Sequence, residues 1–355
     1  MSAAGRARHR GRAWHANALL LLAALAVCAA LAEGLARGFW WLRDGIDPGS
    51  PDRLLLALYP ELRPVLDRPP GRGDGTFDVL LLGGSVLHES WGDVEEQILE
   101  RLARAGHRDV RVHNLAEPAH TTRDSLVKYR ALATAHFDLV VVYHGINDAR
   151  ANDAPAEVFR DDYSHLPWYE LVNALAPEHG RARLALPATL RYLAARVRQR
   201  LAPGRYAGSD RPRPEWVRYG SALRSAPVFE RNLQALLELA AARGEPVMLA
   251  TFALHVPPDY SLEGFREKRL DYLLFYSPLE LWGEPGNVVA AVRTHDDALR
   301  RLAAGTPGVI LVDLDRLMPR GARWFNDPCH LTSEGSAVFA GHLVEAMLPL
   351  VEKAQ

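Results

Sequence analysis

Cysteine is nearly missing from this 355-residue chain: there are two, Cys28 and Cys329. One lies in an apolar N-terminal stretch and the other near the C-terminus, so they are not expected to pair. No Cys-x-x-Cys occurs, which excludes a disulfide framework and a structural zinc site of the usual spacing. Net charge of one sign is missing as well. Lys+Arg total 42 against 43 Asp+Glu, a formal charge of -1, so the whole molecule is not built to bind a polyanion and nucleic acid is not an expected partner. Nearly all the basic residues are arginine, which reflects base composition rather than chemistry. Internal repeats are also absent.

The one long apolar run is near the start. Arg6, Arg8, Arg10 and Arg12 precede an almost unbroken apolar stretch from Ala16 to Ala32, followed by Leu35, Phe39, Trp40 and Trp41. A run of roughly 17 residues is at the short end of what crosses a bilayer. A Trp pair suits the membrane interface, and basic residues before the run hold the N-terminus in the cytoplasm. The expected organisation is a cytoplasmic basic segment (1–15), a transmembrane signal anchor (16–41), a linker (42–76) and a catalytic domain (77–352) outside the cytoplasmic membrane. Two competing readings are a signal cleaved after Ala30-Leu31-Ala32 and a buried helix. Val27 before Cys28 makes a poor lipoprotein site.

From Asp44 to Thr76 the chain is rich in Pro, Gly and charge, with one short helix at Arg53 to Tyr59. Beyond it, short apolar runs alternate with amphipathic stretches. Strands are predicted at Phe77–Leu82, Val110–Leu115, Phe137–Tyr143, Pro246–Leu254 and Val309–Leu314. Helices are predicted at Asp93–Ala105, Thr121–His136 (capped by Thr121 or Thr122), Pro227–Arg243, Asn287–Ala303 and Ser333–Val351. Continuous apolar strands alternating with helices specify an α/β fold, a three-layer α/β/α arrangement around a doubly wound parallel five-stranded sheet, with sites beyond the carboxyl ends of its strands. Residues 149–225 interrupt the rhythm as a basic insert. Between Arg181 and Arg224 there are eleven arginines and two acids, Asp210 and Glu215. Leu190, Leu193, Val197 and Leu201 share one helical face. That face either meets an anionic lipid or glycan surface or packs a solvated helix on the core.

Three polar motifs fall at strand ends or before a helix: Gly83-Gly84-Ser85, Gly145-Ile146-Asn147-Asp148 and Asp327-Pro328-Cys329-His330. Glycines before Ser85 are expected to let the backbone turn sharply and present the serine. A serine needs a base to become nucleophilic, and the base needs an orienting acceptor. Asp327 and His330, three apart on one loop, can aim such a relay at Ser85. His88, His113, His120, His144 and His255 lack ligand spacing and are read as structural or solvated, Cys329 as packed or incidentally exposed, and Asp148 as a helix cap or a hydrogen-bond partner of the site without a chemical step.

In these motifs the chain resembles the SGNH hydrolases, also called GDSL esterases and lipases. "LLLGGSVLHES" matches the nucleophile block, Asn114-Leu115-Ala116 the second block, "VVYHGIND" the third and "NDPCHLTSEG" the last. The resemblance implies Ser85 as nucleophile, His330 as base and Asp327 as its orienting acid. It also implies an oxyanion hole of Ser85 N–H, Ala116 N–H and the Asn147 amide, in a flavodoxin-like sheet. Gly84 stands where the family has Asp, and Ala116 where it has Gly. The expected function is cleavage of carboxylic (acyl, including O-acetyl) esters of a small molecule or glycan, without metal or organic cofactor. The alternatives are an O-acyltransferase acting on an envelope or exported polysaccharide, and a non-catalytic glycan- or lipid-binding module.

Overall fold

A computed structural model describes residues 3–354, apart from Pro48, Ser50, Asp74, 177–183, 209 and 210. Five strands form one sheet: β1 (Phe77–Gly83), β2 (Val110–Asn114), β3 (Leu139–Tyr143), β4 (Val247–Ala250) and β5 (Val309–Val312). The order is β2-β1-β3-β4-β5 and every pairing is parallel. The predicted strands are all present, but those at Pro246 and Val309 end earlier than expected, at Ala250 and Val312. The main helices are α1 (Ala3–Asp44), α2 (Val94–Arg104), α3 (Thr122–Ala131), α4 (Pro167–Leu175), α5 (Ala185–Leu201), α6 (Ser225–Arg243), α7 (Pro285–Gly305) and α8 (Ser333–Ala354).

The chain divides into two compact units. The larger, residues 61–173 and 198–355, holds the sheet. Here α2 and α8 pack together on one face, while α6 packs with α3 and α7 on the other. Val79 and Leu81 of β1 join Ile98, Leu102, Phe339, Leu343 and Met347 in one core cluster. Both faces of the central strands are covered: Val79 to Leu82 and Leu139 to Val142 are fully buried, as an unbroken apolar strand requires. Helix ends carry the expected signals. Glu95 and Glu96 open α2 and Arg101 and Arg104 close it, each complementing the helix dipole. Thr121, not Thr122, caps α3: its hydroxyl accepts from Arg123 N at 3.1 Å, and Asp124 Oδ2 accepts from Thr121 N at 2.7 Å, a reciprocal cap. The strand order reverses at β1, which pairs with both β2 and β3, and sites gather at such a switch point.

The smaller unit comprises residues 1–60 and 174–197. Its α1 is one helix, and Asn17–Asp44 is long and apolar enough to cross a membrane. Leu19, Leu20, Leu21, Leu22, Leu25, Val27 and Leu31 are all more than half exposed, which removes the buried-helix reading. The basic side chains Arg6 to Arg12 lie outside the described residues. Part of the expected linker is packed: Leu54, Leu55 and Leu56 are buried on a 3-10 helix at Pro51–Ala57, in place of the helix expected at Arg53 to Tyr59, and Tyr59 is buried just beyond its end. Helix α5 buries Ala185, Ala188, Thr189, Tyr192 and Ala195. The face predicted from Leu190, Leu193, Val197 and Leu201 exists, but it is exposed. Packing on the core by that face is therefore not what happens. Small residues and Tyr192 make the close contacts instead. Arg181, Arg183 and Asp210 of the insert lie outside the described residues.

Candidate active site

Ser85 opens a single 3-10 turn (Ser85–Leu87) directly after β1. The glycines before it are needed for space rather than for a sharp turn. Gly84 is extended, with φ -102°. A Cβ there would meet Asn147 Nδ2 at 2.6 Å, and one at Gly83 would meet the Tyr143 carbonyl at 2.9 Å. The missing side chain at Gly84 thus lets the Asn147 amide sit against the nucleophile strand. Because Ser85 begins the turn, its N–H points out of it. Among the described residues that N–H meets no acceptor.

His330 and Asp327 lie on a tight loop before α8. An antiparallel bridge between Phe325 and Leu331 closes its base, and Asn326 holds it with bonds to His330 O (2.8 Å) and Leu331 O (2.7 Å). His330 Nε2 is 2.8 Å from Ser85 Oγ, and His330 Nδ1 is 2.7 Å from Asp327 Oδ2. Asp327 Oδ1 accepts from Cys329 N (2.9 Å) and His330 N (2.8 Å), while Oδ2 also accepts from Ser277 N (3.0 Å). With both oxygens engaged by donors, the carboxylate is fixed as an acceptor for Nδ1–H. That tautomer leaves the Nε2 lone pair facing the serine hydroxyl. The three predicted residues, one after a strand end and two on a loop up to 245 positions away, are brought together.

Asn147, on the one-turn helix after β3, points its amide in one sense. Its Oδ1 accepts from Trp282 Nε1 at 2.9 Å, and its Nδ2 donates to His120 O at 2.9 Å. An amide nitrogen has two N–H groups, so one remains for a ligand. Ala116 is different. Its N–H donates to Asn114 Oδ1 at 3.0 Å, so this expected oxyanion donor is engaged inside its own loop. Asn114 also bonds Leu87 O (2.7 Å) and Glu95 (3.0 Å), tying the loop after β2 to the serine turn. Lys128 braces the same loop through Leu115 O (2.6 Å) and His120 Nδ1 (2.8 Å). Burial pushes His120 down to about 4, so it is neutral and can accept that bond.

Two tryptophans belong to the site without any motif to mark them. Trp91 stacks on His330, with ring centroids 4.1 Å apart and planes at 21°. Trp282 sets the Asn147 amide. Both sit outside the periodic elements from which the sequence was read. Trp91 lies only six residues after Ser85, and that proximity is the one signal that could have found it.

The other histidines have partners of their own. His113 faces Asp78 (2.6 Å), His144 bonds Ser125 Oγ (2.6 Å), His255 meets Asp271 O (3.0 Å), and His88 is 3.7 Å from Glu117. Asp148 is buried and accepts from Thr122 Oγ1 (2.6 Å), Thr122 N (3.1 Å) and Tyr163 OH (3.1 Å). It braces β3 against the start of α3, and burial pushes it up to about 7. Asp327, Cys329 and His330 have metal-type donor atoms within 4.8 Å of one another. There the carboxylate and Nδ1 already bond each other, and burial pushes the Cys329 thiol well up, which keeps it a protonated, poor ligand and a poor nucleophile. A small cavity of about 10 Å³ lies beside Ser85, lined by Gly84, Val86, Tyr143, His144, Ile146, Asn147 and Phe252.

Residues 81–338 match the model of the GDSL-like lipase/acylhydrolase family. The chain belongs to that family, whose members are hydrolases, generally esterases and lipases. Among solved structures it is similar to a lipase/acylhydrolase from Enterococcus faecalis (15% identity, 77% of this chain and 95% of the other, TM-score 0.41). It is also similar to a GDSL-like lipase from Bacteroides thetaiotaomicron (13% identity, 83% and 98%, TM-score 0.43) and to an acetyl xylan esterase (16% identity, 76% and 98%, TM-score 0.41). No curated protein sequence matches the chain.

Proposed function

We propose that the chain is a serine esterase of short acyl groups, held by α1 in the cytoplasmic membrane with its hydrolase domain on the extracytoplasmic side. The observation that carries this reading is the relay from Ser85 Oγ to His330 Nε2 (2.8 Å) and from His330 Nδ1 to Asp327 (2.7 Å). Ser85 attacks the ester carbonyl while His330 Nε2 takes its proton. Asp327 holds the imidazole tautomer and stabilises the imidazolium that forms. The Ser85 N–H and the free N–H of Asn147 meet the charge on the tetrahedral oxygen. His330 then protonates the leaving alcohol. In the second half it deprotonates a water, which releases the acid and restores Ser85. Ala116 N–H contributes only when it turns from Asn114 Oδ1 to the oxyanion.

The cavity beside Ser85, bounded by Tyr143, Ile146 and Phe252, is about 10 Å³, room for about one water; it offers no space for a long chain and supports a short acyl group in that sense alone. Anchoring is supported by the length and exposure of α1, and its orientation by the arginines that precede it. A panel of esters of rising chain length tests the chemistry. Turnover should be highest for acetate and release free acid. Preference for long chains would refute the acyl assignment, and acyl appearing on a glycan instead of in solution would make the protein a transferase. A reporter active only outside the cytoplasm, fused after Gln355, should be active. Cytoplasmic activity of that fusion would overturn the topology.

A further inference from the structure

We infer that the exposed face of α5 is a membrane-contact surface that lies at the interfacial level of an anionic bilayer, beside the end of the α1 span. The inference rests on the proposed reading of α1 as a membrane span.

Helix α5 divides its residues in a way that a water-facing helix does not. Its buried face is made of small side chains and Tyr192. Its opposite face carries Leu190, Leu193 and Val197, exposed at 58%, 43% and 51%. These recur three and four residues apart, so they form one stripe. No Asp or Glu occurs from Ala185 to Leu201, whereas Arg196 and Arg200 flank the stripe on one side and Arg191 and Arg198 on the other, where Arg198 pairs with Glu170 (2.8 Å) and Arg191 donates to Ala174 O (3.2 Å). A solvated face normally mixes charges of both signs. An apolar stripe whose own helix supplies basic and no acidic neighbours has the composition of a helix that rests in a lipid headgroup layer.

The position of α5 is fixed by α1. The Glu33 carboxylate accepts from Ala185 N (2.8 Å) and Leu186 N (2.9 Å), so it caps the first turn of α5. Glu33 is the first charged residue after the apolar run that ends at Ala32, which places it where the hydrocarbon must end. Trp40 Nε1 donates to Thr189 Oγ1 (2.7 Å), and Arg43 donates to Tyr192 OH (2.8 Å). The two helices are therefore stitched from the edge of the span outward. Leu31, Leu35, Trp41 and Leu42 of α1 are themselves exposed at 64%, 76%, 56% and 78%. The apolar surface of the span thus continues into the level where α5 begins. The long side chains of Arg196 and Arg200 can then lie along the stripe and reach lipid phosphates.

The seat of α5 needs Glu33 and Trp40, so the test uses the full chain. The protein with Cys28→Ser is reconstituted in phosphatidylcholine bilayers with and without phosphatidylglycerol. A polarity-sensitive fluorophore is attached through Leu193→Cys, Val197→Cys, Leu25→Cys or Glu238→Cys in separate samples; Cys329 is fully buried and does not react. These side chains are exposed, so labelling leaves the Tyr192 packing intact. Lipids spin-labelled near the headgroup should quench most of the emission at 193 and 197. Deep spin labels should quench position 25, and neither should quench 238. Phosphatidylglycerol should increase quenching at 193, and Arg196→Gln with Arg200→Gln should abolish that increase. Quenching at 25 with none at 193 and 197 would overturn the inference and leave the anchor standing. No quenching at 25 would sink the anchor reading instead. Insensitivity of position 193 to phosphatidylglycerol would refute the anionic preference. A blue shift at 193 in detergent that requires added acidic polysaccharide, or a disulfide between two copies at 193, would assign the face to a glycan or to a second copy and overturn the lipid assignment.

Discussion

The orientation of the Asn147 amide depends on a side chain that takes no part in proton transfer. Trp282 Nε1 donates to Asn147 Oδ1 at 2.9 Å, and only the bond from Nδ2 to His120 O (2.9 Å) holds the other side. Trp282→Phe keeps an aromatic ring at a site that is 5% exposed but removes the donor. One such bond contributes about 1 kcal/mol, or about fivefold in the balance between amide orientations. A flipped amide aims its oxygen at the developing oxyanion, where it repels. The expected result is a fall in kcat of up to about fivefold with little change in KM, since the lost interaction belongs to the transition state. The ceiling is the loss of the donor itself, on the order of 100-fold for Asn147→Ala. Steady-state kinetics on an acetate ester, with a thermal melt to verify folding, read this out. The Asn147→Ala/Trp282→Phe double variant should be no slower than Asn147→Ala, because both changes act on one group. Independent, multiplying losses would refute the idea that Trp282 works through Asn147.

Other outcomes follow from the same geometry. Gly84→Ala puts a Cβ 2.6 Å from Asn147 Nδ2, so it should displace the amide and lower kcat toward the Asn147→Ala value; wild-type kcat would mean that the amide is not held there. Ala116→Gly should keep activity. Ala116→Pro removes the N–H and its bond to Asn114, so turnover should fall strongly if the loop turns that donor to the oxyanion, and full activity would remove Ala116 from the hole. Burial pushes His144 down to about 3, against roughly 6.5 in the unfolded chain. Its neutral form therefore contributes stability that is complete above about pH 6.5 and is lost as pH falls toward the folded value. His144→Gln should remove up to about 1.4 kcal/mol of acid sensitivity per pH unit between pH 6 and 4, seen in denaturant melts of variant and wild type. Parallel stability curves for the two proteins would contradict this.

Much of the fold could be read from residues 77 to 351 because the central strands are uninterrupted apolar runs, which only a doubly covered parallel sheet accommodates. The blocks ending in Ser85, Asn147 and His330 stood out for the same reason: each is a polar break directly after such a run or just before a helix. Less visible were features fixed by packing across the sheet. Gly84 looked like a turn glycine, yet the constraint is the Asn147 side chain from a neighbouring strand end. Ala116 looked like a free donor, but Asn114 two residues earlier accepts its N–H. Trp91 and Trp282 lie in irregular segments, where periodicity carries no information about what they touch. The stripe on α5 was correct as a stripe. Which side of the helix would be covered depended on Glu33, Trp40 and Arg43, about 150 residues away.

The central claim is that Ser85 is a nucleophile activated by His330, and covalent labelling measures it most directly. The full-length protein in mild detergent is treated with a fluorophosphonate and analysed by mass spectrometry of its peptides. The account predicts one adduct per chain, on Ser85, absent in Ser85→Ala and formed far more slowly in His330→Ala. Labelling of another serine with Ser85 unmodified, or an unchanged rate in His330→Ala, would contradict it.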